Sequence, residues 1–79
     1  MMLDKGIRVA VIFEPGRKHP KIQWFDLNGE KASVQEECYF WQSHTGAAQI
    51  NHYSLNTDKG LFELQFNALS QQWSLKNPA

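Results

Sequence analysis

The chain has 79 residues, with eight acidic and eight basic side chains, one cysteine, and three Trp, two Tyr and five Phe residues. This length excludes a second domain and a catalytic cleft between domains. The lone cysteine excludes an internal disulfide framework, and the balanced charge excludes a global field that would draw the chain to nucleic acid or membrane. The composition predicts one small domain, residues 1–79, with frayed ends at residues 1–6 and 77–79.

The N-terminal stretch has an apolar run, residues 7–13, that is too short for a signal peptide and is interrupted by Arg8. No stretch approaches the roughly 20 apolar residues that a membrane-spanning helix needs. A single cysteine suits a reducing compartment better than a secreted setting. These features predict a cytoplasmic protein.

The first half of the chain is predicted to form two strands and the start of a hairpin. Residues 7–14 are β-branched and apolar in both phases, which favours a strand covered on both faces. Proline and glycine residues then interrupt the pattern before a second strand, residues 21–27. Asn28 and Gly29 tolerate the positive φ angles of a type I′ turn. That turn predicts the cross-strand pairs Leu27–Glu30, Phe25–Ala32 and Gln23–Val34.

The returning strand, residues 30–43, is long compared with the usual five or six residues of a globular strand. Long strands in small β domains bend at a bulge or coil and serve two sheets. The remaining predicted segments are a loop (44–49), a strand (50–56), a turn (57–60), a strand (61–67), a turn (68–71) and a last strand (72–76).

Every predicted connection is short enough for an antiparallel hairpin, and no long window carries an apolar stripe at helical spacing. The sequence therefore predicts an all-β fold, a five- to six-stranded antiparallel meander. Such a meander curls into a small SH3-like open barrel or roll, because curling reduces the exposed edges. The side chains predicted to face its interior include Phe25, Ala32, Val34, Cys38, Phe40, Phe62, Leu64, Phe66, Trp73 and Leu75.

The stretch "ECYFWQSH" (residues 37–44) places three aromatic rings in succession. Strand alternation puts Phe40 on the core face and turns Tyr39 and Trp41 the opposite way, over a surface flanked by Glu37 and Ser43. Two interpretations remain open for that pair. Another part of the curled sheet covers the two rings, or they form an exposed patch that stacks on a partner. A bulge near residues 36–37 would exchange the two faces.

Metal binding and catalysis receive little support from the residue spacing. Cys38 and the three histidines lack the close pairs, two to four residues apart, that structural zinc sites use. Nothing in the spacing brings Cys38 and a histidine together as nucleophile and base, and no phosphate-cradling loop or nucleophile elbow occurs. We expect no metal, no cofactor and no enzymatic activity.

A basic loop, "GRKHPK" (residues 16–21), holds the sharpest concentration of positive charge. Its cations Arg17, Lys18 and Lys21 are either solvated side chains of a connecting loop or contacts for two or three phosphates. Phosphate contacts of this kind are salt-sensitive and independent of sequence. Small β-barrels that hold single strands add aromatic stacking to such a loop.

The order of these motifs resembles a family of short bacterial all-β domains of unknown function, some of which are fused to Y-family (lesion-bypass) DNA polymerases. The resemblance implies the same fold and supplies no catalytic residues. The family is basic and aromatic directly after the hairpin glycine, whereas this chain has "EKAS" (residues 30–33), which weakens any implied nucleic-acid role. The matching positions are Trp24, Phe25, Gly29, Val34, Glu36, Trp41, Tyr53, Leu55, Leu61, Phe62, Glu63, Leu64, Trp73 and Leu75.

Taken together, the sequence predicts a non-enzymatic binding or interaction module. Its expected partner is a protein, engaged by the face that carries Tyr39 and Trp41 or by strand addition at an open sheet edge. The alternative is weak binding of single-stranded nucleic acid by the basic loop and nearby aromatic rings. We expect a monomer or a weak dimer.

Overall fold

The computed structural model describes residues 7–78, which form one six-stranded antiparallel sheet in sequential strand order. The sheet curls into a half-barrel, so the prediction of an all-β meander rolled into an open barrel is confirmed. Within the described residues its two ends approach each other where the N–H of Ile7 donates to the carbonyl of Trp73 at 3.1 Å. The strands are β1 (Val9–Ile12), β2 (Lys21–Leu27), β3 (Glu30–Thr45), β4 (Ala48–Thr57), β5 (Gly60–Asn67) and β6 (Gln72–Pro78).

The ends of the strands differ slightly from the prediction. β1 is shorter than residues 7–14, because a turn that begins at Glu14 ends the strand, and Phe13 is 79% exposed. β6 continues through residues 77 and 78, whereas residues 1–6 and Ala79 lie outside the described residues. No helix in residues 7–78 is long and apolar enough to cross a membrane.

The β2–β3 hairpin closes on the predicted turn. Asn28 and Gly29 have φ angles of 53° and 86°, the positive values that a type I′ turn requires. The pairs Leu27–Glu30 and Phe25–Ala32 are confirmed. The predicted pair Gln23–Val34 is wrong, because the ladder ends one step earlier, where Trp24 pairs with Ser33.

β3 separates from β2 beyond Ser33 and continues alone beside β4. The β4–β5 turn holds this branch point: the N–H of Ser33 donates to Asp58 Oδ1 at 2.9 Å, and the N–H of Asp58 donates to the Ser33 carbonyl at 3.0 Å. Two register shifts follow, one between Val34 and Glu36 and one between Glu37 and Tyr39. At each shift β3 uses one more residue than β4, which bends the strand as predicted.

The two bulges in β3 decide which of its side chains face inward. One bulge alone would turn Phe40 to the outside, but the second restores the phase, so Phe40 packs against the core as predicted. Cys38 is the extra residue of the second bulge and is exposed, so its predicted place in the core is wrong. Glu37 pairs with Leu55 and faces inward, so it does not flank the outer aromatic pair.

The core lies on the concave side of the sheet. The largest side chains there that are fully shielded from solvent are Phe25, Tyr53, Leu55 and Leu64. Phe25 and Phe62 meet edge to face with 5.7 Å between ring centroids, a favoured aromatic geometry. Large rings thus close the core of a small domain with few side chains. The partly buried side chains around it include the predicted Val34, Phe66, Trp73 and Leu75.

Candidate functional site

Tyr39 and Trp41 lie on the outer, convex face of β3 and are exposed to solvent. Tyr39 is 71% exposed and Trp41 is 42% exposed, whereas Phe40 between them points to the core. The two rings occupy adjacent rows of the sheet, opposite Ser54 and His52 of β4. The structure thus shows that the two rings are exposed. Their stacking on a partner stays a prediction.

A chain of three polar side chains fixes the surroundings of Trp41. Ser43, His52 and Glu63 come from three neighbouring strands, and each lies one row from the next. Ser43 Oγ lies 2.7 Å from His52 Nε2, and His52 Nδ1 lies 3.2 Å from Glu63 Oε2. Because the carboxylate only accepts, Nδ1–H donates to Glu63, and Nε2 on the other side of the ring faces the Ser43 hydroxyl. The imidazole is therefore held at both nitrogens.

The indole of Trp41 stacks on this immobilised imidazole. The two ring centroids are 4.9 Å apart and the planes are inclined by only 4°. A ring held in this way loses little further freedom when it contacts a partner. Sequence reasoning missed Ser43, His52 and Glu63 as a group, although correct hairpin registers would have placed them side by side.

The order hydroxyl, imidazole, carboxylate is also the order that activates serine nucleophiles. Acyl transfer further requires preorganised donors aimed at the developing oxyanion. Among residues 7–78, the side-chain amide near this imidazole is that of Gln65, whose Nε2 lies 3.4 Å from His52 Nδ1 and not beside Ser43. In this structure the three side chains fix the orientation of His52 beneath Trp41.

One edge of β3 pairs with β4. The other edge pairs with β2 only as far as Ser33 and has no strand partner beyond it within the described part of the chain. Its straight portion, residues 39–45, is named here the β3 edge. The turn after Thr45 has Gly46 with a φ of 59°, and such two-residue turns close on a hydrogen-bonded pair. Going back along β3 from Thr45, every second residue therefore forms its main-chain hydrogen bonds with β4. The N–H and carbonyl groups of Phe40, Gln42 and His44 point away from β4.

The basic loop folds back over the concave face instead of extending into solvent. The His19 ring stacks on Phe40, with centroids 3.7 Å apart, and meets Tyr53 edge on. Arg17 Nη2 lies 3.2 Å from Glu37 Oε1, so this cation is already paired. Lys18 and Lys21 remain exposed. The loop thus covers one end of the core, and one of its three predicted cations, Arg17, is engaged in an ion pair.

Tyr53 carries a buried hydroxyl that has no hydrogen-bond partner within residues 7–78. Burial raises the pKa of Tyr53 to about 12, and the carboxylate of Glu37 contributes in the same direction. Asn51 and Arg17 act in the opposite sense, although the Asn51 geometry falls short of a hydrogen bond. At neutral pH the phenol is an uncharged part of the core.

Residues 7–78 contain no group of three or more His, Cys, Asp or Glu side chains close enough to hold a metal ion. Two of the histidines contact aromatic rings instead: His19 packs on Phe40, and His52 lies under Trp41.

Comparisons of the chain with protein-family models, with curated proteins and with solved structures gave no match. The resemblance to domains fused to Y-family polymerases stays a prediction.

Proposed function

We propose that this protein is a non-enzymatic interaction module that takes an extended segment of a protein partner onto the β3 edge. The observation that carries the proposal is the seven-residue run, residues 39–45, which is paired with β4 on one side only among the described residues. Strand addition to such an edge gives affinity through main-chain hydrogen bonds and specificity through alternating side chains.

The composition of the β3 edge supports this role. Edges that must stay unpaired usually carry lysine, proline or bulges. The two bulges of β3 come before the edge, and residues 39–45 contain no Lys, Arg, Asp, Glu or Pro. The unpaired main-chain groups of Phe40, Gln42 and His44 are therefore presented without those protective features.

The outer face beside the edge supplies contacts for the partner's side chains. A strand added to β3 would lie next to Tyr39 and Trp41, which are exposed on that face. Tyrosine and tryptophan are enriched at protein interfaces because they bury a large area with few rotatable bonds. The stacking of Trp41 on His52 lowers the entropy cost of ordering this contact further.

We place this module in a bacterial cytoplasm, on the strength of its single cysteine and of the resemblance noted above. The same edge can accept a second copy of the chain, so a weak dimer at high concentration is compatible with the proposal. A stable partner strand would compete with that dimer.

Selection from a library of linear peptides displayed on phage tests the proposal. We expect extended peptides that bind the wild-type protein and lose at least about tenfold in affinity for Gln42→Pro, since proline removes a main-chain donor at the β3 edge. Gln42→Val is the matched control. It also removes the Gln42 side-chain bond to Asn51 but keeps the main-chain N–H, so it should bind normally.

We expect Gln42→Pro to stay folded, because the lost N–H points away from β4, and circular dichroism and urea unfolding check this. Peptides that bind Gln42→Pro as tightly as wild type would reject strand addition. Failure to select any peptide dependent on residues 39–45 would reject it as well.

The alternative function, single-stranded nucleic acid held by the basic loop, rests on Lys18 and Lys21. The pairing of Arg17 with Glu37 and the packing of His19 on the core weigh against it, because both side chains are already engaged. Titration of a labelled oligonucleotide at low and high salt tests this alternative. Lys18→Gln should weaken binding only if the loop is the site.

A further inference from the structure

We propose that the outer face of the β1–β2–β3 portion holds a second binding site, for a planar ring that carries phosphate, such as a nucleotide. The site is a cleft of about 320 Å³, a volume at the lower end for small-molecule pockets. It lies on the part of β3 before the bulges and is separate from the β3 edge. Its lining residues are Arg8, Trp24, Asp26, Gly29 and Lys31.

The strand registers bring these residues together. Asp26 pairs with Lys31 on one side, and its N–H donates to the Arg8 carbonyl at 2.9 Å on the other. The three side chains therefore form one row that runs from Arg8, directly before β1, across β2 to β3. Trp24 belongs to the next row on the same face, two residues before Asp26 along β2. On the other face of β2, the neighbouring Phe25 points into the core.

Two of the three charges in this row remain available for a ligand. Within residues 7–78, neither Arg8 nor Lys31 makes an ion pair with a carboxylate. Asp26 has a structural task, because its Oδ1 accepts the Gly29 N–H at 3.0 Å and supports the turn. The row carries a net single positive charge on a protein whose overall charge is zero. An anionic group is the complementary ligand.

Trp24 supplies the second half of the recognition. Its indole is half-buried, which fixes the ring, and the ammonium of Lys31 lies 5.0 Å from its centroid. Cation–π contact at an exposed site is weaker than the stacking of a base on an aromatic ring. A ligand ring can therefore replace the ammonium over Trp24. The released ammonium and the Arg8 guanidinium then meet the phosphate of the same ligand.

The basic loop differs from this cleft both in the pairing of its cations and in the accessibility of its aromatic rings. Its Arg17 is paired with Glu37, and its neighbouring rings, His19 and Phe40, stack on each other. The cleft instead combines an indole face with two cations that have no carboxylate partner among residues 7–78. The physical requirements for a nucleotide are thus met by Arg8, Trp24 and Lys31 and not by the loop that the sequence singled out.

Nuclear magnetic resonance at low salt, about 20 mM, where screening is weak, tests the site. The reporter is the indole N–H signal of Trp24, identified with Trp24→Phe. We expect AMP to shift this signal saturably, and adenosine or inorganic phosphate alone to bind about tenfold more weakly, since each lacks one of the two interactions. An octathymidylate titration separates the two sources: tighter binding than AMP indicates a single strand, and equal or weaker binding indicates a free nucleotide.

Lys31→Gln and Arg8→Gln should each weaken AMP binding about tenfold through loss of a charged phosphate contact. Both side chains are exposed, so these variants should keep the fold. Lys18→Gln, in the basic loop, is the matched control and should bind like wild type. Saturable binding that survives both cleft variants would overturn the proposal, and so would the absence of any saturable shift with AMP and the oligonucleotide.

Discussion

Two tyrosines on neighbouring strands show how differently the two faces of this sheet are used. Tyr53 on β4 is fully buried, whereas Tyr39 on β3 is 71% exposed. The residue type is the same, and both residues lie within β-strands. The difference comes from ladder phase alone, because Tyr53 belongs to the concave set and Tyr39 to the convex set. In this domain the phase of an aromatic residue decides whether its ring is buried in the core or exposed on the outer face.

The largest expected effect separates the two tyrosines directly. Tyr53→Ala removes a ring from the core and should lower the free energy of unfolding by about 3–5 kcal/mol, the usual loss for a large buried aromatic side chain. Tyr39→Ala removes the same atoms from the surface and should change it by no more than about 0.5 kcal/mol. Urea unfolding measures both. Equal losses would contradict the assignment of faces.

The hydroxyl of Tyr53 gives a pH-dependent version of the comparison. Its pKa is about 12 in the folded protein, against 10.0 for an unperturbed tyrosine. Between these two values the unfolded chain has lost the proton while the folded chain keeps it. Stability is therefore unaffected below pH 10 and falls as pH rises toward 12, by up to about 1.4 kcal/mol per pH unit.

Tyr53→Phe is the control for that experiment. It removes the titrating group and should abolish this part of the slope in urea unfolding at alkaline pH. Because the hydroxyl is buried without a partner, the substitution should leave stability at neutral pH unchanged or raise it by about 1 kcal/mol. A loss of stability at neutral pH would show that the hydroxyl has a partner in the folded protein.

A smaller effect concerns the outer face. His52→Ala removes the ring beneath Trp41 and should increase quenching of Trp41 fluorescence by iodide, with a stability change of about 1 kcal/mol or less. The control is His44→Ala, which alters a histidine on β3, the strand of Trp41, that is not stacked on Trp41. It should leave the quenching unchanged. Equal quenching in the wild type and in His52→Ala would show that the imidazole does not hold the indole.

The smallest expected effect is at the basic loop. Glu37→Gln breaks the pair with Arg17, in which both side chains are partly exposed, and should cost about 1 kcal/mol or less at low salt. Screening should reduce this difference as salt is added. Lys18→Gln in the same loop is the comparison, and urea unfolding at two salt concentrations measures both. A large loss that does not depend on salt would indicate that Glu37 stabilises the protein by packing.

Local chemistry explains which parts of this structure could be predicted. Asn28 and Gly29 require a particular turn, and that turn fixes the pairing of Phe25 with Ala32 whatever the rest of the chain does. The alternation of Phe62, Leu64 and Phe66 similarly determines the buried face of β5. These features depend on neighbours within a few residues, so the sequence alone suffices.

The two proposed binding surfaces depend on long-range geometry, so the sequence predicts them only in part. The exposure of Tyr39 and Trp41 required knowing that no other part of the described sheet covers them. The predicted core position of Cys38 is wrong because no residue type distinguishes a bulge from regular strand. The row of Arg8, Asp26 and Lys31 joins distant parts of the chain through two registers, one of which contains its own irregularity.

Because β3 has two bulges, the inward and outward positions after them depend on the exact number of residues in this stretch. Losing or gaining one residue between Val34 and Tyr39 would exchange the inward and outward sets all the way to the next turn, sending Tyr39 and Trp41 into the core and Phe40 into solvent. Two such changes would cancel. Length variants of this protein should therefore tolerate insertions or deletions here in pairs and reject single ones, even where every substitution at the same positions is harmless.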